Sequence, residues 1–189
     1  MKIILASASP ARLQVLTNLG YDVKACPTGT DESGVSSNPG EAVAELAMRK
    51  LNAFSQTHPD CKHDVIACDT MIFFKGRMIG KPKDAEDARK QLRDFSDDTH
   101  LVYTGYAYRH GTELQNGFDM AEVAFLPLSD QQIEDYISSG EYRGAAGSYR
   151  IQGKASAFIR SINGDVDTVI GIPTQLLGLN RTSGSELKQ

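Results

Sequence analysis

The sequence predicts a mixed α/β fold, a sheet with helices packed on it, and three observations predict it. Short apolar runs alternate with helical patterns through the first third of the chain. Two long strand-like stretches follow one another in the middle. No internal repeat, low-complexity segment or linker divides the 189 residues.

The elements follow in order. "KIILA" at 2–6 is an apolar strand, and Ser9 before Pro10 supplies an N-cap and a first helical position for a helix over about 10–19. A strand near 21–27 and a polar loop lead to Pro39, where a helix starts and runs to 57. "DVIACD" at 64–69 is a buried-type strand, continued by the hairpin "MIFFKGRMIG", which turns at Lys75-Gly76. A helix over 84–94, the strands "HLVYTGYAYRHG" and "NGFDMAEVAFLPL", and a helix over 129–138 come next. A Gly-rich turn at 144–153, a strand near 155–161 and a last helix from about Pro173 close the chain, with 180–189 as a frayed tail. The whole of 1–189 is expected to form one compact domain, with a ligand cleft between two lobes.

The bulk chemistry excludes several functions. A net charge of −4 and a pI near 5.6 leave no broad basic footprint for nucleic acid or an anionic membrane. No apolar stretch approaches the roughly 20 residues of a membrane span, and the N-terminus has no signal-peptide pattern. A cytoplasmic protein is expected. Cys26, Cys61 and Cys68 form no close-spaced metal pair, and "THPDCKHD" reads as a solvated loop.

Several residues stand out against this background. Arg12 lies in the first turn of its helix, where the dipole favours an anion, so a strand, a Ser-rich turn, a helix start and a cation together describe a phosphate-sized site. Asp69 ends an apolar strand before Thr70; such a carboxylate binds a metal, orients a water or merely caps its own turn. Lys50 falls on the apolar stripe of Val43, Leu46, Ala47, Leu51 and Phe54, where it either snorkels outward or points into a polar site; the helix taken alone favours snorkelling. Lys81 and Lys83 flank Pro82 on a stiff turn, and Glu32 lies in a long polar loop. In "GAAGSYRIQG", Tyr149 is placed to stack and Gln152 to read a base edge. Neither a phosphate-binding P-loop nor a dinucleotide fingerprint occurs. Dispersed cations, two carboxylates and an amide are the ingredients of phosphoryl-group chemistry on a nucleotide.

These segments resemble the Maf-like nucleoside triphosphate pyrophosphatases, once described as septum formation inhibitors. "LASASPAR", "ELAMRKLNA", "ACDT", "IGKPKDAEDARKQLRDFS", "THLVYTG" and "AGSYRIQG" are similar to six family segments in the family's order, and "GDVDTVIGIPT" to a seventh. The resemblance implies a mixed, largely antiparallel, elongated sheet with flanking helices and two lobes around a central cleft, as in inosine triphosphatase-like folds. It implies hydrolysis of a nucleoside triphosphate to monophosphate and pyrophosphate with Mg²⁺ or Mn²⁺, and a homodimer. By position, Asp69, Glu32 and Lys81 are its catalytic residues, the two carboxylates also metal-associated; Ser7, Ser9, Arg12, Lys50 and Lys81 face phosphates; Thr70 and Gln152 help select the base. Three positions depart: Ala11 and Ala145 replace a family arginine and lysine, and Arg150 replaces a glycine, its added charge expected to compensate for the missing arginine. Ala11, Thr70 and Gln152 form the specificity trio, and two of the three lean toward dTTP, UTP and modified pyrimidine nucleotides. The alternatives are a 7-methyl-GTP pyrophosphatase, and a nucleotide-binding regulator of septum formation with little turnover.

Overall fold

The computed structural model describes residues 2–179, which form seven strands and five helices. In chain order these are β1 (Lys2–Leu5), α1 (Pro10–Asn18), β2 (Asp22–Ala25), α2 (Pro39–Thr57), β3 (Asp64–Phe74), β4 (Arg77–Ile79), α3 (Ala85–Phe95), β5 (Thr99–His110), β6 (Glu113–Phe125), α4 (Asp130–Ser139), β7 (Ile159–Asn163) and α5 (Val166–Ile170). The strands make one mixed, mostly antiparallel open sheet in the order β2-β1-β3-β5-β6-β7, with β4 paired to β3. The mixed α/β class predicted from the sequence is therefore the class observed.

The residues divide into two compact units. The first takes the chain up to Asp69, Thr104–Asp119 and the chain from Gly171; the second takes Thr70–Tyr103 and Met120–Ile170. Each has its own apolar core. In the first, Ile4, Ala6, Ala47, Leu51, Phe54, Val65, Ala67 and Ala107 pack together. In the second, Phe95, Phe125, Tyr136, Tyr149 and Phe158 anchor a larger cluster. Each fully buried Leu or Phe contributes about 1.5–3 kcal/mol relative to leaving it in water.

Local chemistry sets the elements that carry function. Ser9 caps α1, its side chain accepting from the Arg12 amide, and Pro10 occupies the first turn. Asn38 caps α2 by accepting from the Gly40 and Glu41 amides, with Pro39 behind it. Lys75 and Gly76 both adopt positive φ, 46° and 77°, which closes the β3–β4 hairpin where the sequence placed its turn. Two expectations are corrected. The strand expected near 155–161 begins only at Ile159, after a 3₁₀ turn over Lys154–Phe158. The last helix is Val166–Ile170, and residues 173–179 are turns: Gly178 takes φ 63°, and the Leu179 amide reaches the Thr174 carbonyl. The expected tail, 180–189, lies outside the described residues.

The register of the first unit decides what meets what. β1 runs parallel to both β2 and β3, with Leu5 opposite Ala25 on one side and Ile66 on the other. The chain leaving β1 through Ser7 and Ser9 thus reaches the level of Cys68 and Asp69. Helix α2 lies close against β5 because Gly105 has no side chain: a Cβ there would stand 2.1 Å from the Val43 carbonyl carbon and oxygen. Lys50, two helical turns after Val43, lies on the same face.

A Gly105→Ala substitution is expected to cost about 3 kcal/mol, because the obstacle is backbone rather than a movable side chain. Urea unfolding checks this, and a loss below about 1 kcal/mol refutes the tight approach.

Candidate functional site

The central feature is an ion cluster in the first unit. Lys50 Nζ contacts Glu32 Oε1 at 2.9 Å and also pairs with Asp69 Oδ1. The lysine side chain is only 13% exposed and that of Asp69 12%, so Lys50 does not snorkel from its apolar stripe; it ends on two carboxylates. Glu32 is half exposed. Burial makes such charges expensive unless they are paired, so the cluster stands or falls as a unit.

Arg12 secures the floor beside it. Its Nε donates to the Gly171 carbonyl at 2.7 Å, and Nη1 donates to the Cys68 carbonyl at 2.8 Å and to Ser7 Oγ at 3.0 Å. The guanidinium thus ties the β1–α1 turn to the residue before Asp69, a contact that spacing along the chain does not encode. The Ser9 amide in turn donates to Ser7 Oγ. Ala11 follows in α1, with no functional group to offer. Cys68, fully buried next to Asp69, has its thiol pushed up to about 11, chiefly by desolvation. It serves as a small apolar residue.

The second unit carries the remaining candidates. Thr70 continues β3, Lys81 is exposed after β4, and Gln152 is exposed on the Gly-rich turn. That turn is built to hold one shape. The Gly147 amide donates to the Gly80 carbonyl at 3.0 Å, linking the turn to the residue before Lys81. Gly147 itself takes φ 65°, and a Cβ there would stand 2.1 Å from Ile72 Cδ1. Ser148 also takes positive φ, and its hydroxyl bonds Gln91 Oε1 at 2.6 Å.

Two expectations about this turn change. Tyr149 is not placed to stack on a ligand: it is buried, its ring packs edge-on against Phe125, and its hydroxyl lies 2.8 Å from His100 Nε2. Arg150 does not aim its fork at a ligand as an added cation. Its Nε and Nη2 donate to the carbonyls of Glu141 and Arg143 at 3.0 and 2.7 Å, and its amide donates to the Tyr136 hydroxyl. Both residues shape the segment that ends in Gln152. The only sequence signal for His100 is its place in the segment "THLVYTG", which gives it no role.

Arg12, Lys50, Glu32 and Asp69 gather beside β3, within the strand rather than past its end as the sequence suggested, and two cations with two carboxylates are chemically suited to phosphoryl groups. The chain matches the Maf-like protein family over residues 2–179, and it belongs to that family. It is 38% identical over 177 residues to the dTTP/UTP pyrophosphatase of Pyrococcus horikoshii, covering 94% of each chain. It is 37% identical to a dTTP/UTP pyrophosphatase of Bacillus cereus, covering 93% of this chain and 92% of that one. Among solved structures it is similar to the Staphylococcus aureus Ham1 protein over 66% of this chain and 72% of that one, at 13% identity and a TM-score of 0.47.

Burial pushes the His100 imidazole down to about 4, so it is neutral in the fold at neutral pH. The unfolded chain binds that proton near 6.5, so between the two values the unfolded state carries more protons and stability rises with pH. The contribution is complete above about 6.5 and is lost as pH falls toward about 4, amounting to roughly 3 kcal/mol. Denaturant unfolding at about pH 7 and about pH 4.5 is expected to show this loss in the parent protein and a flatter dependence in His100→Gln. Parallel curves would refute it.

Proposed function

We propose that the protein is a nucleoside triphosphate pyrophosphatase with a preference for dTTP, UTP and modified pyrimidine nucleotides, and that 1–189 acts as one catalytic domain. The single observation that carries this reading is Lys50 held between Glu32 and Asp69, in a family whose curated relatives are named dTTP/UTP pyrophosphatases.

The reaction is attack of water on the α-phosphorus: a new P–O bond forms, the bond to the α–β bridging oxygen breaks, and pyrophosphate leaves. Asp69 takes the role of general base or metal-associated carboxylate, with Glu32 as the second acid. Lys50 holds both carboxylates to one point and adds positive charge where negative charge grows on the phosphate oxygens. Ser7 and Ser9 offer hydroxyls at the strand end, while Arg12 sets the height of the Cys68–Asp69 backbone and places its charge beside Ser7. Lys81 is assigned to the polyphosphate, and Thr70 and Gln152 to the base, with Ala11 completing the specificity positions.

The four charges of this cluster, Arg12, Lys50, Glu32 and Asp69, sum to zero, so a triphosphate needs further cations. Among the described residues no group of three or more His, Cys, Asp or Glu forms a closed metal cage. Two carboxylates instead suit Mg²⁺ or Mn²⁺, which binds through one or two carboxylates, waters and substrate phosphates. Glu32 and Asp69 would hold the ion, which when bound supplies charge neutralisation on the phosphates. No helix among the described residues is long and apolar enough to cross a membrane. A cytoplasmic location, expected from the sequence, and a homodimer, implied by the family resemblance, complete the proposal.

The test is a panel assay with Mg²⁺ or Mn²⁺ on dTTP, UTP, CTP, modified pyrimidine triphosphates, GTP and 7-methyl-GTP, with products identified. Pyrophosphate from pyrimidine triphosphates is expected. Pyrophosphate from 7-methyl-GTP alone would overturn the preference, and saturable binding without product would favour the regulator. Asp69→Asn is expected to lower kcat by about 10²- to 10⁴-fold while the protein stays folded, and parental turnover would remove Asp69 from its role.

Gln152→Glu is expected to alter the ratio of kcat/KM between dTTP and GTP by at least about tenfold, since a donor facing the base becomes an acceptor. An equal loss on every nucleotide would count against base reading.

A further inference from the structure

Glu32 sits in the stretch between β2 and α2, residues 26–38, which has neither helix nor strand. No ladder of backbone hydrogen bonds fixes where its carboxylate lies. Arg49, the residue before Lys50, makes up for that. Its Nη1 donates to the carbonyls of Asp31 at 3.2 Å and Ser33 at 2.6 Å, and its Nη2 donates to the carbonyl of Gly34 at 3.2 Å. The three acceptors bracket Glu32 on both sides. The fork is aimed from its own helix, because Nη2 also bonds Glu45 Oε1 at 2.6 Å one turn earlier. Within the loop, Gly34 takes φ 65° and the Asp31 carboxylate accepts from the Ser33 amide at 2.9 Å, so the loop is folded into a shape that turns several carbonyls to one donor.

We infer that Arg49 is a positioning residue for the reaction: it clasps the 31–34 backbone to α2 so that Glu32 is delivered to Lys50 and Asp69 before substrate arrives. Consecutive residues of one helix thus divide the work, Lys50 binding the carboxylate and Arg49 the backbone that carries it. A forked, planar donor set is required, because an ammonium cannot span three carbonyls and a carboxylate at once. This inference rests on the reading of Glu32 as the second acidic member of the site, and the experiment separates the two.

The experiment is a double-mutant cycle with dTTP on the parent, Arg49→Ala, Glu32→Gln and the double variant, with kcat and KM measured separately. Arg49→Ala is expected to lower kcat about 10- to 100-fold, with KM changed much less, because a carboxylate left loose is misplaced in the transition state. In the Glu32→Gln background the same substitution is expected to have no further effect. Amide hydrogen exchange over 31–34 is expected to quicken in Arg49→Ala while the thermal midpoint moves by only a few degrees. Arg49→Lys, which keeps the charge and loses the fork, is expected to share the kcat loss. Multiplicative losses in the double variant, or full activity in Arg49→Lys, would overturn the positioning role while leaving Glu32 in its own. Parental turnover in Glu32→Gln would instead overturn the reading of Glu32, and the positioning role with it.

Discussion

A lysine on the core-facing stripe of α2 is the constraint around which the first unit is arranged. Lys50 follows Ala47 and precedes Leu51, both buried, so its stem is committed to the interior before its ammonium group finds a partner. An unpaired cation there would cost several kcal/mol, and the fold removes that cost by meeting it with Asp69 from β3 and Glu32 from the β2–α2 loop. Everything that fixes those three groups supports the same point. Gly105 lets α2 lie flush on β5, the β1–β3 register sets the level of Asp69, and Arg12 and Arg49 hold the two flanking stretches of backbone.

The two arginines show a shared principle. Each spends its donors mainly on main-chain carbonyls, and so ties irregular backbone to a regular element. Arg12 joins Ser7, Cys68 and Gly171 across long sequence separations; Arg49 gathers Asp31, Ser33 and Gly34. Preorganised dipoles and charges stabilise a transition state only if they need not be rearranged when it forms, which is the value of such clasps.

The second unit solves the same problem by packing. Its Gly-rich turn is held by the His100–Tyr149 pair in an aromatic cluster with Phe95 and Phe125, by the Gly147–Gly80 backbone bond and by the arginine fork of Arg150. His100 is kept neutral by burial, and its Nδ1 has no hydrogen-bond partner among the described residues, so the imidazole serves as a mostly apolar ring with one polar contact. Gln152 projects from a turn whose shape is determined behind it.

The sequence by itself determined most of the elements and singled out Lys50, Glu32 and Asp69 as candidates. Caps at Ser9 and Asn38, the Lys75-Gly76 turn and the apolar stripe of α2 are local features, and local forces decide them, so they were legible. The anomaly of Lys50 was visible as a broken pattern, but its resolution was not, since its partners lie 18 and 19 positions away on other elements. Only the tertiary structure decided that Tyr149 belongs to the core, that Arg150 serves backbone carbonyls and that Arg49 clasps the Glu32 loop. A side chain's role depends on which acceptors the fold brings within about 3 Å of it, a distance that no spacing along the chain encodes.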